Sequence, residues 1–377
     1  MAIVQVKNQY YFDFSLGGDG GIFETEDDLR VFIMTEEAGN VLPTAKLVFT
    51  VPDRKEQVLE KCNEGNILQV SFGRDPNKKQ TSKFLIVNAV MERAGQFQYV
   101  VELGCIYDAL PYLSVPRIFA TDKIQGTQAI QDTASSYFNV QSNVQSSGTQ
   151  YWLQSNIPDK AFVNQIWMHS YVPSSFISIG ITSDGRFKMR DLKKDTDNKW
   201  KIGYSDDPDI IKFGGDYSFD ERHGLLNQWV GYGRERKLWD IDNCEYKDVT
   251  EEFSPFIAMT SNFNRNAGVE KKVAAFRPLN ENVDPNYYNA YLRNITSAAL
   301  HSAGKFHLGY YNEFFKMEVL DRCFLMDDRP TQQREIAPYQ SGAYYITHIT
   351  RSLTAKNFNT VVDLVRESFN MGKGSLR

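Results

Sequence analysis

Phe84–Leu103 reads FLIVNAVMERAGQFQYVVEL, and Tyr345–Leu364 reads YITHITRSLTAKNFNTVVDL. With an offset of 261 residues and no gap, Ala94, Phe97, Val100, Val101 and Leu103 coincide with Ala355, Phe358, Val361, Val362 and Leu364. Phe84 becomes Tyr345 and Glu102 becomes Asp363, so aromatic and acidic character carry over. Each stretch has the pattern of a strand, a short polar connection and a second strand. In the first, Phe97, Tyr99, Val101 and Leu103 share one face at period two, with Gln98 and Glu102 on the other. Phe358, Thr360, Val362 and Leu364 repeat that face. The spacing predicts an internal repeat of two β-domains. One core would hold Phe84, Phe97, Tyr99, Val101 and Leu103, the other Tyr345, Phe358, Val362 and Leu364.

Upstream of the first stretch, Lys46–Val51 and Ile67–Phe72 also read as strands, since Leu68, Val70 and Phe72 alternate with Gln69 and Ser71. Phe84–Val90 and Phe97–Leu103 complete a set of four, which suggests a small antiparallel barrel or sandwich ending near Pro116. Composition then changes. Thr127–Phe138 is expected as an amphipathic helix with Ile130, Ala134 and Phe138 inward, followed by a polar loop, VQSNVQSSGTQ. Asp159 is a candidate N-cap for a helix burying Phe162, Val163, Ile166 and Trp167, stopped by Pro173. Phe176–Ile181 and Arg186–Leu192 form a hairpin pattern around Ser183-Asp184-Gly185. Asp284-Pro285 opens a further helix with Tyr288, Leu292, Ile295 and Ala299 on one face and Gly304 as its stop. Lys305–Tyr311, Phe314–Leu320 and Cys323–Met326 then lead into the second hairpin.

The chain of 377 residues is long enough for two or three cores. A formal charge of −5 argues against a dedicated nucleic-acid binder. Cys62, Cys105, Cys244 and Cys323 lie far apart, which fits free thiols in a reducing compartment better than a disulfide framework. No segment approaches the roughly 20 apolar residues of a membrane span, and the N-terminus lacks the pattern of a signal peptide.

Catalytic motifs are sparse. Acidic runs occur at Asp206–Asp209, at Asp216 with Asp220 and Glu221, and at Asp240, Asp242 and Glu245. Paired carboxylates across a cleft could hydrolyse a glycosidic bond, but spacing alone does not make them face each other. His169, His223, His301, His307 and His348 form no metal-binding spacing. No nucleophile elbow or cysteine-nucleophile motif is present. The expectation is a protein without catalytic residue, metal or cofactor.

The run Asn66–Leu113, NILQVSFGRDPNKKQTSKFLIVNAVMERAGQFQYVVELGCIYDALPYL, resembles the first barrel of the central baseplate hub proteins of contractile-tailed bacteriophages. The terminal GAYYITHITRSLTAKNFNTVVDLVRESFN is similar to their closing hairpin, and Trp152–Leu192 to their intermediate domain. Type VI secretion spikes use a related hub. The resemblance implies a mainly β, α+β fold. Two tube-type antiparallel β-barrels would be formed by 1–118 and by 206–249 with 305–377. A mixed domain of 119–205 and 250–304 would be inserted between them. It further implies a homotrimer, whose six barrels adapt a sixfold tail tube to a threefold central spike. Its partners would be that spike, tail tube or tube-adaptor proteins and baseplate wedge proteins. The chain ends at Arg377 with no needle, so a separate spike polypeptide is expected. DNA would pass through without specific binding, no membrane would be bound, and assembly into the virion tail would occur in the bacterial cytoplasm. The alternatives are a carbohydrate-binding surface β-protein and a polysaccharide-degrading tail enzyme.

Overall fold

A computed structural model describes residues 4–6, 10–20, 28–55, 57–73, 80–144, 147–172, 175–192, 194–195, 197–204, 207, 210–211, 217–221, 234–240, 243–251, 273–277, 287, 290–291, 294, 304–311, 316–334, 336–337, 340–354 and 358–366. The first eight strands are β1 (Val4–Val6), β2 (Tyr10–Leu16), β3 (Asp19–Gly20), β4 (Leu29–Glu37), β5 (Thr44–Pro52), β6 (Ile67–Gly73), β7 (Gln80–Arg93) and β8 (Gln98–Tyr107). A single turn of helix, α1 (Gln57–Glu60), separates β5 from β6. Alternation decides which side chains turn inward: Leu68, Val70 and Phe72 are buried, while Gln69 and Ser71 are half-buried. The inward faces merge into one core around Phe12, Phe14, Phe32, Leu47, Phe49, Phe84, Val101 and Leu103. Phe14 meets Phe32 edge-on, with ring centroids 5.3 Å apart.

The middle of the chain mixes short strands and helices. In order these are α2 (Leu110–Ser114), β9 (Pro116–Ala120), β10 (Ile124–Gln125), α3 (Gly126–Ala134), β11 (Asn139–Ser142), β12 (Thr149–Gln150), β13 (Leu153–Pro158), α4 (Asp159–His169), β14 (Ile177–Ile181) and β15 (Arg186–Asp191). β15 lies between β14, antiparallel, and β11, parallel. Ala129 and Ile130 of α3 and Phe162, Val163 and Ile166 of α4 share a core with Ile179, Ile181, Phe187 and Met189. The Gln/Ser/Asn-rich stretch is not all loop, because Asn139–Ser142 runs beside β15. Asp159 does not cap α4. The helix starts directly after Pro158, and the Asp159 carboxylate turns away to Tyr137 and Gln154.

Only Tyr287, Ala290, Tyr291 and Asn294 of the helix expected over 284–303 are described, with helical backbone; Tyr288, Leu292, Ile295 and Ala299 lie outside the described residues. Asn294 Nδ2 donates to the carbonyls of Trp167, Met168 and Ser170 at 3.1–3.2 Å. It thereby satisfies acceptors that the C-terminus of α4 leaves open.

The last third supplies β16 (Trp200–Tyr204), β17 (Tyr217–Glu221), β18 (Arg234–Asp240), β19 (Glu245–Glu251), β20 (Val273–Arg277), β21 (Gly304–Tyr311), β22 (Arg322–Asp327), β23 (Gly342–Leu353) and β24 (Phe358–Arg366). The strand expected over Phe314–Leu320 is absent where it is described. Backbone at Val319 and Leu320 turns, with Leu320 at φ 66°.

The large sheet runs β1-β2-β6-β7-β8-β5-β4-β23-β24-β21-β17, with β22 also on β23. Within it, β6-β7-β8-β5-β4 and β22-β23-β24-β21-β17 have the same antiparallel order. The mainly β expectation holds, and among the described residues neither run of the expected two barrels closes on itself. The outer edge of β4 pairs instead with β23, from Phe32 opposite Leu353 to Glu37 opposite His348, so both halves share one sheet.

Register corrects four of the expected core positions. The β7–β8 hairpin has a bulge between Ile86 and Asn88, and the β23–β24 hairpin has one between Ile346 and His348. Aligned on the bulges, Phe84 corresponds to Tyr344, not Tyr345. Tyr345 faces the opposite side, against Phe176 and Leu192. A one-residue shift exchanges faces, and the gapless offset conceals it. Phe97 is 75% exposed because β8 begins only at Gln98, which leaves Phe97 in the turn. Tyr99 is half-buried. Phe358 packs into the core of the first half, 5.7 Å from Phe12 between ring centroids, and not into that of the second. Val101 and Leu103 lie in the first core, Val362 and Leu364 in the second.

Candidate functional site

Among the described residues two surfaces are exposed and apolar. β7 outlasts its neighbour β6, which pairs only with Gln80–Leu85. Beyond that point β7 keeps β8 on one side, and among the described residues no strand lies on the other. Val87, Val90 and Met91 are exposed along this overhang, with Phe97 at its tip. The second surface is the two-stranded ribbon of β9 and β13. All five residues of β9 are exposed, Ile118 to 82%, and Phe119, Leu153 and Tyr151 lie exposed nearby in sequence and register. Long, uncovered apolar edges are templates for pairing with another chain, so they are the natural candidates for assembly contacts.

Behind these surfaces the parts of the fold are locked by buried charge. Glu36 occupies an inward position of β4, in line with Phe32 and Met34. Its Oε1 accepts a hydrogen bond from the Ser183 backbone N–H at 2.8 Å, and its Oε2 lies 3.4 Å from Arg351 Nη1. Arg351 Nη2 donates to the Met317 carbonyl at 2.6 Å. One carboxylate thus ties β4 to the β14–β15 turn and to β23. Lys188 of β15 is also buried, and its Nζ donates to Asp321 Oδ1, Glu318 Oε2 and the Val319 carbonyl at 2.8, 3.1 and 2.8 Å. Asp321 Oδ2 accepts from Lys199 and from Trp200 Nε1, both at 2.9 Å. Burial alone would raise the Asp321 pKa, but Lys188, with Trp200 and Lys199, outweighs it and leaves the carboxyl below its ordinary value. Sequence reasoning missed these groups. The legible signal was a charge on the inward parity of an apolar strand, as at Glu36.

A cleft of about 770 Å³ opens beside β9 and is lined by Arg117, Ile118, Phe119, Asp132, Gln154 and Asp159, among others. Asp159 is buried at its floor. Tyr137 donates to Oδ2 at 2.6 Å, Gln154 Nε2 to Oδ1 at 2.9 Å, and Arg117 Nη1 lies 3.5 Å away. Burial first, then Asp159, raises the Tyr137 hydroxyl above its ordinary value. With both oxygens engaged by neighbouring side chains, Asp159 ties β13 and α4 to Tyr137.

Among the described residues, the other groups singled out by sequence are not gathered into a site. Of the acidic runs, Asp206, Asp209, Asp216 and Asp242 lie outside the described residues. Asp220 and Glu221 fall in β17, Asp240 in β18 and Glu245 in β19. His169 stacks on Tyr287 and Tyr291, at 4.0 and 4.9 Å between centroids. His348 lies 3.7 Å from Asp363, His307 is in β21, and His223 and His301 are outside the described residues. Burial pushes the Cys62 and Cys105 thiols up to about 12, so neither is a ready nucleophile. Among the described residues no group of three or more His, Cys, Asp or Glu is placed to hold a metal ion. No described helix is long and apolar enough to cross a membrane.

No family model and no curated protein sequence matches the chain. Solved structures do. A 43 kDa tail protein of prophage MuSo2 from Shewanella oneidensis matches with a TM-score of 0.60 at 9% identity, covering 94% of this chain and 96% of that one. A tail protein from Neisseria meningitidis MC58 matches with a TM-score of 0.61 at 8% identity, over 95% and 97%. A component of the type VI secretion system of E. coli, itself structurally similar to tail proteins of phage T4, matches with a TM-score of 0.53 at 9% identity, over 94% and 77%. The likeness at these identities is one of fold: the chain shares the fold of these phage tail proteins.

Proposed function

We propose that this protein is a structural component of a phage tail and serves as its central baseplate hub. The observation that carries the reading is the fold match along nearly the full length of two tail proteins, in both directions. The five-strand order that occurs twice in one sheet adds to it. In this reading the two runs are copies of one tube-type unit, contributed by 1–118 and by 206–249 with 305–377, around an inserted mixed domain of 119–205 and 250–304. Three chains present six similar units to a sixfold tail tube while holding a threefold spike. The partners are then a second and third copy, a central spike, tube or tube-adaptor proteins and wedge proteins, and the place of action is the virion tail. The role is scaffolding and not catalysis, in keeping with an Asp159 whose oxygens are engaged by structural neighbours. Against a sugar platform, Trp152 is buried and Trp167 and Trp200 are half-buried, although Tyr151 and Tyr291 are exposed.

The test is the mass of the native particle, with an image of it at low resolution. A subunit number that is a multiple of three, in a ring with sixfold-like lobes, is expected. Any other subunit number, or turnover of peptidoglycan or capsule by the pure protein, would overturn the reading.

A further inference from the structure

Lys188 and Asp321 are surrounded by more than an ion pair needs. Both side chains are almost wholly buried, with Nζ 2.8 Å from Asp321 Oδ1, and a second carboxylate oxygen, Glu318 Oε2, lies 3.1 Å from the same Nζ. Asp321 Oδ2 accepts three N–H groups, from Lys199 Nζ and Trp200 Nε1 at 2.9 Å and from the Glu318 backbone at 3.2 Å. The two oxygens of Asp321 are thereby unequal. Oδ1 faces the amine, whereas Oδ2 sits in a cradle of donors of the kind that stabilises an oxyanion. The turn that presents Asp321 is itself uncommon, with Leu320 at φ 66°, a region that a bulky side chain seldom enters.

A buried amine, a carboxyl beside it, a second carboxylate to carry protons and a cradle for negative charge make a complete set for amide formation. We propose that Lys188 and Asp321 are a self-modification site, at which an amide bond forms between Lys188 Nζ and Asp321 Cγ. The Lys188 ammonium first passes one proton to Asp321 Oδ1, leaving a neutral amine and a neutral acid. Nζ then attacks Cγ, and negative charge gathers on Oδ2 among its three donors. Glu318 takes a second proton from Nζ and delivers it to Oδ1. The Cγ–Oδ1 bond breaks, Oδ1 departs as water, and Oδ2 becomes the amide carbonyl. The third proton stays on the amide nitrogen, with the Val319 carbonyl, 2.8 Å from Nζ, as its acceptor. Two charges disappear and no oxidant or cofactor is consumed.

Burial disfavours charged forms and so helps the first proton transfer. Holding the two groups in reach is worth an effective concentration of about 10⁵–10⁸ M. Against this, the Asp321 carboxyl lies below its ordinary value, so the resting pair is ionic and the first transfer makes the step slow. Until it occurs, the two residues are an ordinary buried ion pair. The bond ties β15 to the turn before β22, across 133 residues of chain. It rests on this cluster alone and does not depend on the hub reading.

Mass spectrometry of the denatured full chain tests it. The parent should be one water lighter than its sequence mass, and the deficient fraction should grow on incubation. Trypsin should then leave Lys188 uncut and release a branched peptide, Phe187–Arg190 (FKMR) joined to Met317–Arg322 (MEVLDR). Lys188→Arg, which keeps the cation, and Glu318→Gln, which keeps a side chain of the same shape, should both stay at their sequence masses. A parent still at its sequence mass after prolonged incubation overturns the proposal. So does water lost as a succinimide at Asp19-Gly20 or Asp184-Gly185 with no branched peptide. A Glu318→Gln chain that links as fully as the parent overturns the role given to Glu318.

Discussion

Lys188 is a cation with almost no access to water, and Asp321 is what makes that tolerable. Removing one partner of a buried ion pair strands the other, at a cost of about 3–5 kcal/mol. Asp321→Asn is therefore expected to destabilise the protein by about that amount at neutral pH, measured by denaturant unfolding. The acid dependence has a definite sign. A carboxyl held below its unfolded value of about 3.9 contributes stability above that pH, and loses it as pH falls through the folded value. The parent should weaken through this acid range while Asp321→Asn is flatter, and curves that stay parallel would count against the pair. Phe97 and Leu103 make a second contrast, one exposed in a turn and one fully buried in the first core. Phe97→Ser should shift single-chain stability by less than about 0.5 kcal/mol, and Leu103→Ala should cost about 2–5 kcal/mol. The alternation that predicted Leu103 correctly runs one position too far at Phe97, because period two does not say where a strand yields to its turn.

At the scale of elements, local pattern carries a long way. β6 is legible from Leu68, Val70 and Phe72, α4 from Phe162, Val163 and Ile166, and the β14–β15 turn from Asp184-Gly185. What pattern cannot reveal is which edges meet. Nothing in LRVFIMTEE names GAYYITHITRSL as its neighbour, and the bulges at Val87 and Thr347 slide the faces without changing composition. The β16–β22 pair gives a test at this scale. Gly203 sits at φ +152°, and a Cβ there would be driven into the Met326 carbonyl oxygen across the pair. Gly203→Ala should pry β16 from β22 and cost several kcal/mol. Amide exchange should show lost protection at Trp200–Tyr204 with β14 and β15 unchanged, and unaltered protection there would refute the contact.

For the molecule as a whole, charge sets the expectation about the tail's cargo. Acidic residues outnumber basic ones, 47 to 42, and binding of phosphate backbones grows with each cation that contacts them. The assembled particle should not retard duplex DNA on a gel even at about 50 mM salt, where such contacts are strongest. A retarded band that disappears by about 200 mM salt would reveal a basic lining and contradict a passive channel. The exposed β9–β13 ribbon and its cleft were not legible in advance. PRIFA and LQSNIP have no distinguishing motif, and their significance comes from being left uncovered.

The ladder between β4 and β23 also has a history during synthesis. Glu37 pairs with His348, more than 300 residues later. At synthesis rates of roughly 5–20 residues per second, the edge of β4 waits something like 15–60 s for its partner. During that time a nascent chain presents Phe32, Ile33 and Met34 on an unpaired edge, next to nascent copies from the same message. A chain stopped before Gly342 should therefore accumulate as insoluble material, and a separately supplied peptide spanning Gly342–Arg366 should return part of it to solution.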